Sequence, residues 1–134
     1  MSPLIRLIVP VMKIVIADDS ALWRDRIKSI LIDINKVFVV GEAENGTDAL
    51  KIIMEKEPDL AIIDIRMPEM NGIELLKKIR ELKMNVKIIM LTNYPYPQYR
   101  KRCLEAGADY FLSKTEDFEQ IETIVRDILL DKLQ

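Results

Sequence analysis

The segment Leu60-Ala61-Ile62-Ile63-Asp64 places one carboxylate directly after four consecutive apolar residues. An apolar run of this length without strict alternation is typical of a strand whose two faces are both covered in a parallel sheet. The same arrangement occurs upstream, where the apolar run 14–17 is followed by Asp18 and Asp19. Two buried strands that both end in carboxylates therefore indicate the fold and the place where a site would form.

Working outward, five apolar runs alternate with five segments of helical periodicity. The strands are predicted at 14–17, 37–40, 60–63, 86–91 and 110–112. The first helix is predicted after an N-cap at Ser20 with an apolar stripe that reaches Ile34, and the others at 45–56, 72–82, 97–106 and 116–133. This alternation predicts an α/β fold, a doubly wound (βα)5 parallel sheet with helices on both faces.

Composition limits the possible functions. The chain has 134 residues, of which 49% are apolar and 31% charged, with a formal net charge of −2. These values suit one compact domain without a general attraction to nucleic acid or to membranes. The chain contains no histidine, which excludes Ser-His-Asp and Cys-His catalysis. Cys103 is the only cysteine, so no internal disulfide forms and a cytoplasmic location is expected.

The chain begins with an apolar segment that allows more than one interpretation. Residues 4–11 are apolar apart from one arginine and one proline, and a signal peptide is one interpretation. Against it, no cleavage site of small residues follows, and the segment is too short to span a bilayer. We interpret residues 1–11 as a flexible or edge-pairing N-terminal extension and residues 12–134 as the folded domain, with Met12 as an alternative start.

Polar residues follow the strands at the end of the sheet where parallel strands terminate together. These residues are Asp18 and Asp19 after the first strand, Asp64 after the third, Thr92 at the fourth and Lys114 after the fifth. Two carboxylates about 4 Å apart repel by roughly 4 kcal/mol at an effective dielectric constant of about 20, so converging carboxylates predict a hard cation such as Mg2+. A cation, a lysine and a hydroxyl around one carboxylate can steady a phosphoryl group, which makes Asp64 the candidate nucleophile.

These residues resemble the receiver domain of bacterial response regulators, over residues 13 to about 130. The resemblance rests on the acidic pair after the first strand, on Thr92, and on two longer segments. They are Asp64-Ile65-Arg66-Met67-Pro68-Glu69-Met70-Asn71-Gly72 and Ala106-Gly107-Ala108-Asp109-Tyr110-Phe111-Leu112-Ser113-Lys114. The family resemblance implies that residues 12–134 form a receiver domain with strand order 2-1-3-4-5.

The resemblance also implies a chemistry. Asp64 would accept a phosphoryl group from a histidine kinase or a phosphotransfer protein. Asp19, Asp64 and the backbone carbonyl of Arg66 would ligate Mg2+, and Asp18 would act mainly through water. Lys114 would pair with the carboxylate and then with the phosphoryl group. Such a domain is a signalling switch and not a turnover enzyme.

A conformational change is the implied output. Thr92 would move toward the phosphoryl oxygens and allow Phe111 to turn inward, with Tyr110 on the opposite face of the sheet. The face formed by the fourth helix, the fifth strand and the fifth helix would then bind a downstream protein or a second copy. No helix-turn-helix pattern follows the last helix, so direct contact with nucleic acid is not expected, nor is a membrane contact. The alternative is a receiver domain excised from a longer DNA-binding response regulator.

Three positions depart from the common pattern of the family. Phe111 stands where tyrosine is frequent, and Thr115 follows Lys114 where proline is frequent. Arg66 lies two residues after Asp64, and we hypothesise that its side chain alters the lifetime of the phosphorylated state. The segment 92–99 contains three of the four tyrosines. It is interpreted either as a partner site or as a stiffened loop whose rings cover apolar stems.

Other classes of protein fit the sequence less well. A phosphatase of the haloacid dehalogenase type needs a second aspartate where this chain has Arg66. A flavodoxin-like nucleotide binder needs a phosphate loop after the first strand, where Asp18 and Asp19 would repel phosphate. A degenerate receiver that only docks partners would lack an acidic residue or the lysine, and none is missing.

Overall fold

The computed structural model describes residues 10–133. Its strands are β1 (Met12–Ala17), β2 (Val37–Ala43), β3 (Leu60–Ile63), β4 (Lys87–Thr92) and β5 (Tyr110–Ser113). Its helices are α1 (Ala21–Leu31), α2 (Gly46–Lys56), α3 (Gly72–Glu81), α4 (Pro97–Glu105) and α5 (Gln120–Asp131). Strands and helices alternate along the chain, which confirms the predicted (βα)5 architecture.

The strands form one parallel sheet in the order β2-β1-β3-β4-β5, as predicted. Alternate residues of the central strands contribute to two separate cores. Val15 and Ala61 pack with α2, α3 and α4, whereas Ile14 and Ile62 pack with α1 and α5. Because both faces of these strands are covered, both sets of positions are apolar, which explains the missing alternation in the sequence.

The first helix begins as predicted but ends earlier. Ser20 is its N-cap, and the Ser20 hydroxyl accepts from the Trp23 amide at 3.3 Å. The helix ends at Leu31, so the prediction that its apolar stripe continues to Ile34 is wrong for the last turn. The chain reverses into β2 there, and Lys36 adopts a φ of 70°. Ile34 is nevertheless buried in the same core as Leu31.

The last helix begins at Gln120, four residues later than predicted. Asp117 causes the delay, because its carboxylate accepts from the Ser113 amide at 2.8 Å and its own amide donates to the Ser113 carbonyl at 2.9 Å. These two bonds close a turn, so residues 113–117 are held in a loop before the helix starts.

The prediction for residues 1–11 falls mostly outside the described residues, since the description begins at Pro10. Pro10 and Val11 precede β1, and the Val11 side chain is exposed. No helix within residues 10–133 has the length and apolar character that crossing a membrane requires.

Candidate functional site

Four strands bring the predicted site residues to the carboxyl end of the sheet. Ala17 in β1 lies beside Ile63 in β3, and the Asp64 amide donates to the Ala17 carbonyl at 2.9 Å. Asp18 and Asp64 therefore directly follow two neighbouring strands and lie at the same height along the sheet. On the other side of β3, the Lys114 amide donates to the carbonyl of Thr92 at 2.8 Å. The fold thus places residues from distant parts of the chain around one point.

Asp18, Asp19 and Asp64 form a carboxylate cluster. Each offers one oxygen, and these oxygens all lie within 4.8 Å of one another. Asp18 and Asp64 are buried, whereas Asp19 is exposed. Burial is the largest cause that raises the pKa of Asp64 from 3.8 to about 6; Lys114 lowers it, and the charges of Asp18 and Asp19 raise it. The ionised form of Asp64 is therefore held at an electrostatic cost that an added cation would reduce.

Lys114 supplies a buried positive charge to the cluster. Its Nζ lies 2.7 Å from Asp18 Oδ2 and 3.5 Å from Asp64 Oδ2. The shorter contact is to Asp18, and the longer one is to Asp64, the partner that the family resemblance implies. The second oxygen of Asp18 accepts from the Ser20 amide at 2.9 Å. Both oxygens of Asp18 are thus engaged within the protein.

The donor set fits a hard divalent cation. Three carboxylates and one ammonium leave a formal charge of −2 when all four groups are ionised. Mg2+ takes oxygen ligands and retains several waters, so it needs open space beside the carboxylates. Asp19 and Arg66 line a cavity of about 440 Å3, which provides this space on the Asp19 side of the cluster. The charge, the ligand type and the available volume therefore all match magnesium.

The loop after β3 holds the Asp64 peptide in place. The Gly72 amide donates to the Ile65 carbonyl at 2.7 Å, and a Cβ at position 72 would lie only 2.0 Å from the Asp64 carbonyl oxygen. Asn71 caps α3 with its side-chain oxygen. Only glycine allows this close approach, so position 72 fixes the distance between the start of α3 and the candidate nucleophile.

Thr92 and Phe111, the predicted switch residues, are both buried. The Thr92 hydroxyl oxygen accepts from the Tyr94 amide at 2.9 Å, which links the hydroxyl to the loop before α4. Phe111 lies in the core formed with α3 and α4, so its ring is on the inward side in this structure. Tyr110 packs in the opposite core, as strand alternation predicts.

The tyrosine-rich loop packs against Arg66. The Arg66 guanidinium carbon lies 3.8 Å from the centroid of the Tyr94 ring. The Tyr96 ring lies 6.1 Å from Tyr94 and 5.8 Å from Tyr99. The rings therefore cover one another, as the stiffened-loop interpretation expects, while Tyr96 stays 47% exposed, as a partner site requires.

The first turn of α1 also borders the site, although the apolar stripe of this helix predicts only that its side chains pack in the core. The centroid of the Trp23 ring lies 5.0 Å from Lys114 Nζ, and the Phe118 ring contacts it at 5.7 Å. Arg24 donates to the Asp18 carbonyl at 2.6 Å. The available signal was proximity in sequence, since the first turn of a helix that follows Asp18 must lie beside that residue.

Comparisons with known proteins agree with this fold. The family model described as response regulator receiver domain matches residues 14–126. A putative transcriptional regulator of Pseudomonas aeruginosa is 36% identical over 117 residues, which cover 87% of this chain and 56% of that protein. The chain spans about half the length of the curated transcriptional regulators that it matches.

Solved structures show the same fold. The signal receiver domain of the putative response regulator NarL from Mycobacterium tuberculosis aligns with a TM-score of 0.83 and 30% identity, and the alignment covers 90% of this chain and 97% of that one. A chain of the CheX-CheY-BeF3-Mg2+ complex from Borrelia burgdorferi aligns with a TM-score of 0.77 and 26% identity, covering 92% and 90%. The chain therefore belongs to the response regulator receiver domain family, whose members are phosphorylation-dependent switches of two-component signalling.

Proposed function

We propose that this chain is a magnesium-dependent phosphoacceptor switch in which Asp64 is the nucleophile. The observation that carries the proposal is the position of Asp64 in a cluster of three carboxylates, next to the buried ammonium of Lys114. Receiver domains interact with histidine kinases and phosphotransfer proteins, and a protein of this kind is the proposed donor. The chain lacks the general acid of a turnover phosphatase, since Arg66 stands two residues after Asp64.

Phosphoryl transfer would use the groups of the cluster as follows. An oxygen of Asp64 donates an electron pair to phosphorus while the bond from phosphorus to the donor's leaving group breaks. Asp19, Asp64 and the Arg66 carbonyl would hold Mg2+, with Asp18 contributing through water. When bound, the ion supplies positive charge to the phosphoryl oxygens. Lys114 lies 3.5 Å from Asp64, which is close enough for its ammonium to pair with the phosphoryl group once it is attached.

The output would begin at Thr92. Its hydroxyl would leave the Tyr94 amide and donate to a phosphoryl oxygen, which changes the loop before α4. We propose that this change passes through Phe111 to the face formed by α4, β5 and α5, where a downstream protein or a second copy binds. A cytoplasmic location, expected from the single cysteine, is part of the same proposal.

A second candidate function follows from the length of the relatives. Several are named as transcriptional regulators, and the matched region covers 56% of the Pseudomonas aeruginosa protein. The chain is then a receiver domain excised from a longer DNA-binding response regulator. The genomic reading frame downstream of codon 134 tests this alternative, since a helix-turn-helix domain encoded there supports it and a stop codon contradicts it.

The main proposal is tested by incubation with phosphoramidate and Mg2+, followed by intact mass measurement. We expect the wild-type chain to gain one phosphoryl group, and we expect Asp64→Asn and the wild type in EDTA to gain none. Asp33→Asn is the matched control, because Asp33 is exposed and lies outside the cluster. Transfer that persists in Asp64→Asn, or repeated turnover of the donor, would contradict the proposal.

We propose that Arg66, whose guanidinium lies over the Tyr94 ring, alters the lifetime of the acyl phosphate. The side chain borders the same cavity as Asp19, so it controls how water reaches the cluster. We expect Arg66→Ala to change the dephosphorylation rate severalfold, measured by mass after removal of the donor. Arg102→Ala is the control, since it removes a guanidinium that lines the same cavity from α4. An unchanged rate in Arg66→Ala rejects the role.

A further inference from the structure

We infer that Trp23 is a positioning residue that holds Lys114 at the phosphoryl site through the face of its indole ring. The inference rests on the proposed function, because positioning matters only if Lys114 acts on a phosphoryl group. It concerns a residue of α1 that contacts the lysine and none of the reacting atoms.

The surroundings of the Lys114 ammonium motivate the inference. The residue is 3% exposed, so water contributes little to its solvation. Asp18 lies 2.7 Å and Asp64 3.5 Å from Nζ, and the centroid of the Trp23 ring lies 5.0 Å away. The electron-rich face of an indole attracts an ammonium, and this attraction strengthens where water is excluded. The ring therefore adds a third contact to the two that the ammonium makes with carboxylates.

The nature of this contact suits a lysine that must change partners. An indole face attracts the ammonium but has no acceptor atom that would fix the direction of one N–H bond. Lys114 could thus exchange its hydrogen bond with Asp18 for one with a phosphoryl oxygen while remaining against Trp23. A carboxylate or amide in place of the ring would accept a directed hydrogen bond and oppose that exchange.

Two elements of the fold fix the orientation of the ring. Trp23 lies in the first turn of α1, whereas Phe118 lies in the loop between β5 and α5, four residues after Lys114. The two rings meet edge to face, with centroids 5.7 Å apart and planes at 61°. The exposed Arg26 guanidinium lies 5.0 Å from the same indole centroid, which provides a second cation as an internal control.

The kinetic test compares Trp23→Leu, Trp23→Phe and Arg26→Ala with the wild type. Each protein is phosphorylated by phosphoramidate at saturating Mg2+, and the maximal rate is separated from the donor concentration at half-maximal rate. Leucine keeps the apolar burial but removes the aromatic face, so we expect the maximal rate to fall about tenfold while the half-saturating concentration changes less than about twofold. Trp23→Phe should restore most of the rate, and Arg26→Ala should match the wild type.

A second measurement needs neither metal nor phosphoryl transfer. Trp23 is the only tryptophan, so fluorescence reports on it alone. An ammonium against an indole quenches its emission by donating a proton to the excited ring. We therefore expect Lys114→Leu to raise the emission of the metal-free protein and Arg26→Ala to change it less, with thermal unfolding confirming that both variants fold.

The outcomes separate the inference from the proposed function. A wild-type chain that takes no phosphoryl group rejects the proposed function, and the inference with it. A phosphorylated wild type with an equally fast Trp23→Leu, or with Leu and Phe variants that are equally slow, rejects the inference alone. If Trp23→Leu does not fold, the fluorescence comparison decides, because emission unchanged in Lys114→Leu overturns the contact.

Discussion

The two ends of the sheet contain the same kinds of charged residue and arrange them in opposite ways. At the amino end, Asp109 accepts from the Ile88 amide at 2.8 Å and pairs with Arg80 at 3.1 Å. Also at this end, Asp59 accepts from the Lys13 amide at 2.7 Å. At the carboxyl end, by contrast, three carboxylates lie around a single buried lysine. The carboxylates of the amino end thus have separate donors, whereas those of the carboxyl end lie close together.

At the amino end, hydrogen bonds of one side chain join several elements. Arg80 in α3 donates to the Gly107 carbonyl at 2.9 Å and to the Val86 carbonyl at 2.8 Å, in addition to its pair with Asp109. These bonds connect α3 with the starts of β4 and β5. A sheet held together at one end can tolerate repulsion between carboxylates at the other, and this repulsion favours the binding of a cation there.

The sharpest way to test the comparison is to remove one charge from the crowded end. The pKa of Asp64 is raised from 3.8 to about 6, so the unfolded chain releases this proton first and stability falls as pH rises between these values. The full penalty corresponds to about 3 kcal/mol above pH 7. We expect Asp64→Asn to increase the free energy of unfolding in EDTA by about 3 kcal/mol at pH 7.5 and by about 1 kcal/mol at pH 4.5.

Urea unfolding of both proteins at the two pH values measures this effect. Asp33→Asn serves as the control, because it removes an exposed carboxylate outside the cluster. A variant at Asp64 that is less stable than the wild type at pH 7.5 would show that the carboxyl end stores no repulsion, and the comparison between the two ends would fail.

Removal of a carboxylate from the amino end should have the opposite sign. Asp109→Ala leaves the Ile88 amide without its acceptor and the Arg80 guanidinium without its counter-charge. We expect the free energy of unfolding to fall by about 2 kcal/mol, since a partly buried donor that loses its partner costs about 1 to 3 kcal/mol. Urea unfolding at pH 7.5 measures it, with Asp33→Ala as control. A stabilised Asp109→Ala would make the two ends equivalent.

Magnesium should reduce the difference between the two ends. A ligand that binds only the folded state at ten times its dissociation constant adds about 1.4 kcal/mol to the free energy of unfolding. We expect Mg2+ to stabilise the wild type by about this amount and Asp109→Ala equally, but to stabilise Asp64→Asn and Asp19→Asn much less. Thermal unfolding with NaCl at matched ionic strength provides the control, and equal stabilisation of all four proteins would place the ion elsewhere.

Most of the fold was predictable from the sequence, because the apolar pattern of each helix and strand follows from which of its side chains are buried. The prediction failed where local hydrogen bonds set a boundary. Asp117 delays the start of α5 by bonding to Ser113, and a turn in which the Ile34 amide donates to the Leu31 carbonyl follows the end of α1. An apolar stripe indicates which side chains are buried, but it does not distinguish a helical residue from a buried residue just beyond the helix.

The site was predictable in its members and less so in its contacts. Parallel strands end together, so the residues after them had to converge. The partner of Lys114 was not predictable in the same way, since the closer contact to Asp18 depends on side-chain positions across β1, β3 and β5. The contacts of Trp23 with Lys114 and of Arg66 with Tyr94 join separate elements, and no periodicity within one element reports them.

The smallest expected effect tests whether the amino end depends on any single ion pair. Lys132 Nζ lies 2.8 Å from one oxygen of Asp59, whose other oxygen accepts from the Lys13 amide, and both charged side chains are partly exposed. We expect Lys132→Ala to lower the free energy of unfolding by only about 0.5 kcal/mol, and we expect the loss to shrink in 1 M NaCl. Urea unfolding at low and high salt measures both. The bond from the Lys13 amide to Asp59 remains after this substitution. A loss near 2 kcal/mol would therefore mean that the stability of the amino end depends on this single ion pair.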